Sequence, residues 1–171
     1  MTASAELLVD AFGRIRGIVH RVVSGLTPEE LAARVDDDAN SIGWLVWHLT
    51  RIQDAQVADV ADSEQVWTAA GWFDRFGLPF PSEVTGYGQS SSEVAQVAGI
   101  TAEKLIGYLD EALDRSVQFV SGLTDADLSR IVDRNWDPPV TLGVRLVSVI
   151  ADDLQHAGQA AFVAGMLSRR G

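Results

Sequence analysis

The chain contains no cysteine. Disulfides and a cysteine-based zinc site are therefore excluded, and any thiol chemistry needs a thiol brought in from outside. Lysine is nearly absent too: Lys104 stands alone, and arginine carries almost all of the positive charge. Thirteen basic residues face 24 acidic ones, a formal charge of -11. Such a field repels phosphate backbones and anionic membrane surfaces, and no Lys/Arg cluster reverses it locally, so nucleic-acid and membrane binding are not expected. No run of about 18 uninterrupted apolar residues appears, as a membrane span would need. Glu6 and Asp10 stand where a signal peptide would carry a basic stretch, so the expected location is cytoplasmic. What the chain does have is 47% apolar residues in a length of 171, ample for the core of one domain over residues 1–171.

The apolar residues recur at helical spacing. Residues 7–23 place Leu8, Phe12, Ile15, Val19 and Val22 on one face ahead of Gly25, which predicts a first long helix. Thr27-Pro28-Glu29-Glu30 reads as an N-cap, a first-turn proline and a capping-box glutamate for a short connector through Arg34. Asn40 or Ser41 can cap a second long helix to about Val60, with Ile42, Leu45, Val46, Leu49 and Ile52 on its apolar face. Periodicity then fails over residues 67–92, where glycines and prolines punctuate a run of aromatics. A loop of that length is either a lid or pocket wall, or a packed excursion over the core. A third long helix begins between Ser92 and Thr101 and stops at Gly122. Thr141 caps a fourth, from Leu142 to about Ser168. The predicted fold is all-α: a four-helix bundle with short connector helices and a long loop between helices two and three.

An internal repeat supports the bundle. Residues 24–31, SGLTPEEL, match residues 121–128, SGLTDADL, and Ser41-Ile42-Gly43 is echoed by Thr141-Leu142-Gly143. Two related helical hairpins with pseudo-twofold symmetry are expected, which sets His48 opposite Ser148. No apolar stripe looks surplus to one bundle, although a homodimer remains open.

On the fourth helix Ser148, Asp152 and His156 are spaced four apart, with Gln155 and Gln159 beside them, so one polar stripe interrupts an apolar helix. A carboxylate and an imidazole at i and i+4 can reach a single ion, the spacing used by the histidine pair of zinc-binding helices. A third ligand must come from elsewhere. His48, between Trp47 and Leu49 on an apolar helix, is the better candidate, because a buried imidazole without a function still needs a hydrogen-bond partner. His20, beside Arg21 at the end of helix one, looks peripheral. The plainer alternatives are an ordinary Asp152–His156 pair and a satisfied core His48. The tryptophans and Phe73 read as core and loop anchors.

The runs SIGWLVWHL (residues 41–49) and DDLQHAGQ (residues 152–159) resemble the DinB-like metalloenzyme superfamily, and within it an actinobacterial group that includes mycothiol S-transferases. The resemblance spans nearly the whole chain. It implies a divalent metal, zinc with nickel or iron as alternatives, held by His48, Asp152 and His156. Most relatives carry histidine at the position of Asp152, so this chain departs from the commonest pattern. A set of two imidazoles and a carboxylate leaves at least one open position and also suits non-haem iron(II). Asp153, Gln155 or Gln159 would orient a ligand. The resemblance further implies transfer of a low-molecular-weight thiol, mycothiol, to an electrophilic small molecule, with Trp72, Arg75 and Tyr87 of the long loop walling the pocket. A metal-dependent hydrolase, a non-catalytic ligand-binding or stress-response bundle, and haem held by His48 and His156 are the competing readings.

Overall fold

A computed structural model describes residues 1–169. Helix α1 (Ala3–Val23) is followed by a short α2 (Pro28–Ala32) and a long α3 (Ile42–Val60). Three short helices, α4 (Val66–Ala69), α5 (Trp72–Phe76) and α6 (Ser91–Val94), lead into α7 (Ala102–Ser121). A 3₁₀ turn (Asp127–Ser129) and a small antiparallel hairpin of β1 (Ile131–Asp133) and β2 (Val140–Thr141) lead into α8 (Leu142–Leu167). Among the described residues no helix is long and apolar enough to cross a membrane.

Side-chain caps explain where the long helices start. Thr2, Ser41, Thr101 and Thr141 each accept a hydrogen bond from the backbone N–H three residues on, a contact whose loss costs about 1 kcal/mol. The all-α bundle is as the periodicity predicts, with α1, α3, α7 and α8 around one core. Inside it Phe12, Ile15, Leu49, Leu109, Leu113 and Leu146 are fully buried, each stabilising the fold by roughly 1.5–3 kcal/mol relative to exposure.

The order around the bundle differs from a pair of simple hairpins. α3 packs on α8 and α7, and α1 packs on α7 and α8, so the sequence neighbours α1 and α3 lie across a diagonal, as do α7 and α8. The connections are long enough to allow this; only a tight turn forces consecutive helices side by side. The repeat itself is real in three dimensions. Thr27 and Glu30 exchange capping bonds, as do Thr124 and Asp127. A Cβ on Gly43 would lie 3.1 Å from the Leu31 carbonyl oxygen, and one on Gly143 would lie 3.3 Å from that of Leu128. Each glycine lets a connector cross its helix at the same point of the repeat.

Two expectations need correction. Residues 67–92 are not structureless: α4 and α5 are single turns, too short to carry a periodic signal. The first is held from outside by Asp54 of α3, whose carboxylate accepts from the backbone N–H groups of Val66 and Trp67 at 2.9 and 2.8 Å, and the second packs its rings on Tyr108 of α7. The second correction concerns α8, whose outer face leaves Val144, Val147, Leu154 and Phe162 exposed. That strip exceeds what the bundle itself uses.

Candidate metal centre

Buried Arg51 fastens the segment that reaches the site. It donates to Gln65 Oε1 at 2.8 Å, Tyr108 Oη at 3.3 Å, and the carbonyls of Ser82 at 3.0 Å and Val84 at 3.3 Å. Its guanidinium also lies 4.8 Å from the centre of the Trp67 ring. Tyr108 in turn donates to Asp54 at 2.8 Å. Because α3 residues 44, 48 and 51 share a face, the same helix fixes the loop at two further points. Trp44 Nε1 donates to Gln89 Oε1 at 2.7 Å, and His48 Nδ1 lies 2.6 Å from the Thr85 carbonyl oxygen. Residues 82–89 are thereby fastened along α3.

The Thr85 contact decides the state of His48. A carbonyl only accepts, so Nδ1 carries the proton and Nε2 keeps a free lone pair. Burial, the largest influence, lowers the pKa of His48 from 6.5, which keeps the ring neutral. Gly86 makes the close approach possible: its φ is +93°, and a Cβ there would sit 2.8 Å from His48 Nδ1. Trp44 stacks on the imidazole at 4.5 Å and 16°.

The other two residues come from α8. Asp152 and His156 lie one turn apart, with His156 Nε2 3.5 Å from Asp152 Oδ1. His156 Nδ1 bonds Gln159 Oε1 at 3.0 Å, which aims Nε2 at Asp152. This hydrogen-bonded carboxylate is the main reason His156 is raised above 6.5, and the same bond lowers Asp152. The second oxygen of Asp152 is buried and has no hydrogen-bond partner.

Donor atoms of His48, Asp152 and His156 all lie within 4.8 Å of one another. That separation is close enough for small side-chain rotations to let all three hold one divalent ion. The free Nε2 of His48, the Nε2 of His156 facing Asp152 and the unpartnered second oxygen of Asp152 fit a divalent cation. Haem does not fit, because the two imidazole rings are only 4.8 Å apart and T-shaped, with no room for a porphyrin between them.

Of the residues considered as orienting groups, Gln159 holds His156, whereas Gln155 bonds the Ala151 carbonyl. Asp153 faces the core, fully buried and with neither oxygen partnered. Burial, reinforced by the charge of Asp152, pushes its carboxyl well above the usual range. His20 pairs with Asp110 at 2.9 Å between α1 and α7.

An open groove of about 460 Å³ reaches the candidate centre at Asp152, with Tyr87 also among its walls. Trp72 and Arg75 do not line it. Trp72 is buried against Gly107 and Tyr108, its indole N–H donating to Glu111 at 2.6 Å, and Arg75 lies over the Trp72 ring. Trp136, from the turn of the hairpin, and Arg145 line the groove instead. The sequence offered one signal for Trp136, a lone aromatic in the polar, proline-rich run RNWDPP. A smaller cavity of about 230 Å³ between α3 and α7 shares no residue with the candidate centre.

Comparison with known proteins agrees with this architecture. A family model described as the DinB superfamily matches residues 11–160. A solved structure titled as the conserved protein of locus from Enterococcus faecalis superposes with a TM-score of 0.89 at 28% identity, covering 96% of each chain. No curated protein matches the chain. The chain belongs to the DinB superfamily, whose members are metal-associated.

Proposed function

We propose that this DinB superfamily member is a divalent-metal-dependent transferase that joins a low-molecular-weight thiol, mycothiol, to an electrophilic small molecule. The observation that carries the reading is the meeting of a free His48 nitrogen, the His156 nitrogen facing Asp152 and an unpartnered carboxylate oxygen beside an open groove. Zinc is the proposed ion, and when bound a divalent cation supplies Lewis acidity that favours the deprotonated form of a thiol or water beside it.

The chain's own residues do the rest. His48 is held in one tautomer by Thr85, and His156 is aimed by Gln159. Asp152 contributes the negative charge, so the three ligands together leave a divalent ion one positive charge. No cysteine is present to act as nucleophile or to compete for the ion, so the sulfur must come from a co-substrate.

The test is metal content and thiol conjugation measured together on tag-free protein. With mycothiol and 1-chloro-2,4-dinitrobenzene, a sulfur–carbon bond forms, the carbon–chlorine bond breaks, chloride departs and the thiol proton goes to water. The expected result is near-stoichiometric metal and conjugation well above the uncatalysed rate, both lost in His48→Ala. Metal without conjugation to any of a panel of electrophiles, but with thiol-independent ester or amide hydrolysis, would replace this reading with a hydrolase. Absence of metal after reconstitution would leave a non-catalytic binding bundle.

A further inference from the structure

Four of the five tryptophans are buried, at 6, 1, 2 and 7% exposure for Trp44, Trp47, Trp67 and Trp72. Trp136 is 67% exposed, and Tyr87 is 88% exposed. Both large rings line the same groove, whose further wall includes Val140 and the half-exposed Val144, and which reaches Asp152. They arrive from separate loops: Tyr87 lies in the segment fastened to α3, and Trp136 sits in the turn between β1 and β2. An indole and a phenol left in water beside a reactive centre are surfaces for a flat partner.

The charged groups of the groove are already matched to one another. Arg145 forms an ion pair with Asp133 at 3.1 Å and also donates to Gln56, with Arg145 and Asp133 only 18% and 20% exposed. This pair ties the hairpin to α8 and leaves no cation free for an anionic ligand. It equally leaves Asp133 with no need of a cationic one. Asp152 belongs to the candidate metal centre.

We infer that the groove between Trp136 and Tyr87 is a binding site for uncharged, planar aromatic or conjugated molecules. As the subsite for the electrophile it rests on the transfer reading above; as a binding site it does not. The ligand lies flat against the indole, its edge toward Asp152, and selection against anions follows from the internal Arg145–Asp133 pairing. Away from the metal centre an added sulfonate finds no free cation among the groove's side chains and must shed water without compensation.

Isothermal titration with 2-naphthol and 2-naphthalenesulfonate, on the protein as purified and on variants, tests this. Naphthol is expected to bind at least tenfold more tightly than the sulfonate. Trp136→Ala should weaken naphthol about tenfold, and Trp136→Phe should restore most of that loss. Phe162→Ala, an exposed aromatic outside the groove, should change nothing, and circular dichroism confirms that each variant keeps its helices. Binding of naphthol by His48→Ala protein separates the two claims: retained binding with no conjugation in the wild type would remove the transfer reading and leave the groove. Undetectable naphthol binding, equal affinity for the sulfonate, or an unaltered affinity in Trp136→Ala would overturn the inference.

Discussion

Helices α3 and α8 begin alike, with a Ser/Thr cap and a glycine under a connector leucine, yet they meet solvent differently. From Ser41 to Arg51 every residue of the α3 segment is buried, whereas α8 alternates buried and exposed positions along its whole length. The cause lies in the chain that flanks each helix. Residues 61–90 fold back over α3 and offer carbonyls to its polar side chains, while α8 has only a hairpin at its start. The candidate centre therefore joins one ligand locked by its surroundings, His48, to two adjustable ones, Asp152 and His156, whose side chains are 38% and 17% exposed.

The strongest way to break this contrast is Arg51→Ala. It strips partners from two loop carbonyls and from the buried Tyr108–Asp54 pair, and should cost about 3–5 kcal/mol. Arg145→Ala, the matching cut on α8, should cost about 1 kcal/mol. Urea denaturation of both measures the difference, and equal losses would remove the asymmetry.

Glycines give the next test. Gly86→Ala places a Cβ against His48 in a left-handed backbone position, which should cost roughly 1–3 kcal/mol and lower metal affinity about 10–100-fold through displacement of the ring. A Cβ added at Gly158 on α8 would meet nothing within 4 Å, so Gly158→Ala should stabilise the fold by up to about 1 kcal/mol and leave metal content unchanged. Thermal melts and metal titration report both.

Proton competition should also fall on the α8 side. His156 has a raised pKa and must release its proton to bind a cation, while His48, with its lowered pKa, is already neutral. Metal affinity should therefore fall as pH is lowered through the raised His156 value, by up to about tenfold per unit. A titration series across that range checks the slope. The smallest effect expected is that of Gln159→Ala, which frees the exposed side of His156 and should weaken metal binding less than about tenfold.

Much of this arrangement is legible in the amino acids. The long helices announce themselves because period 3.6 and a capping residue are local properties, and Asp152 and His156 share a face by spacing alone. His48 stands out as a polar residue on an apolar helix. The diagonal order of the helices is not legible, since it depends on packing between segments far apart in sequence. Nor are α4 and α5, single turns held by other helices, α4 by Asp54 of α3 and α5 by Tyr108 of α7. Strands of three and two residues carry too few side chains for an alternation to register, so the hairpin escapes a sequence reading, and with it Trp136. The surplus strip on α8 passes for core for a related reason: an apolar face is visible in sequence, but the element that covers it is not.

Trp44 gives the centre an optical property. Its indole lies stacked on His48 and edge-on to His156 at 6.3 Å, so an ion held by those imidazoles sits within a few ångströms of a native fluorophore. An open-shell cation such as nickel(II) quenches emission at that range, whereas closed-shell zinc has no unfilled d level with which to do so. Trp44 emission would thus report whether an ion taken up at this candidate centre is open-shell or closed-shell.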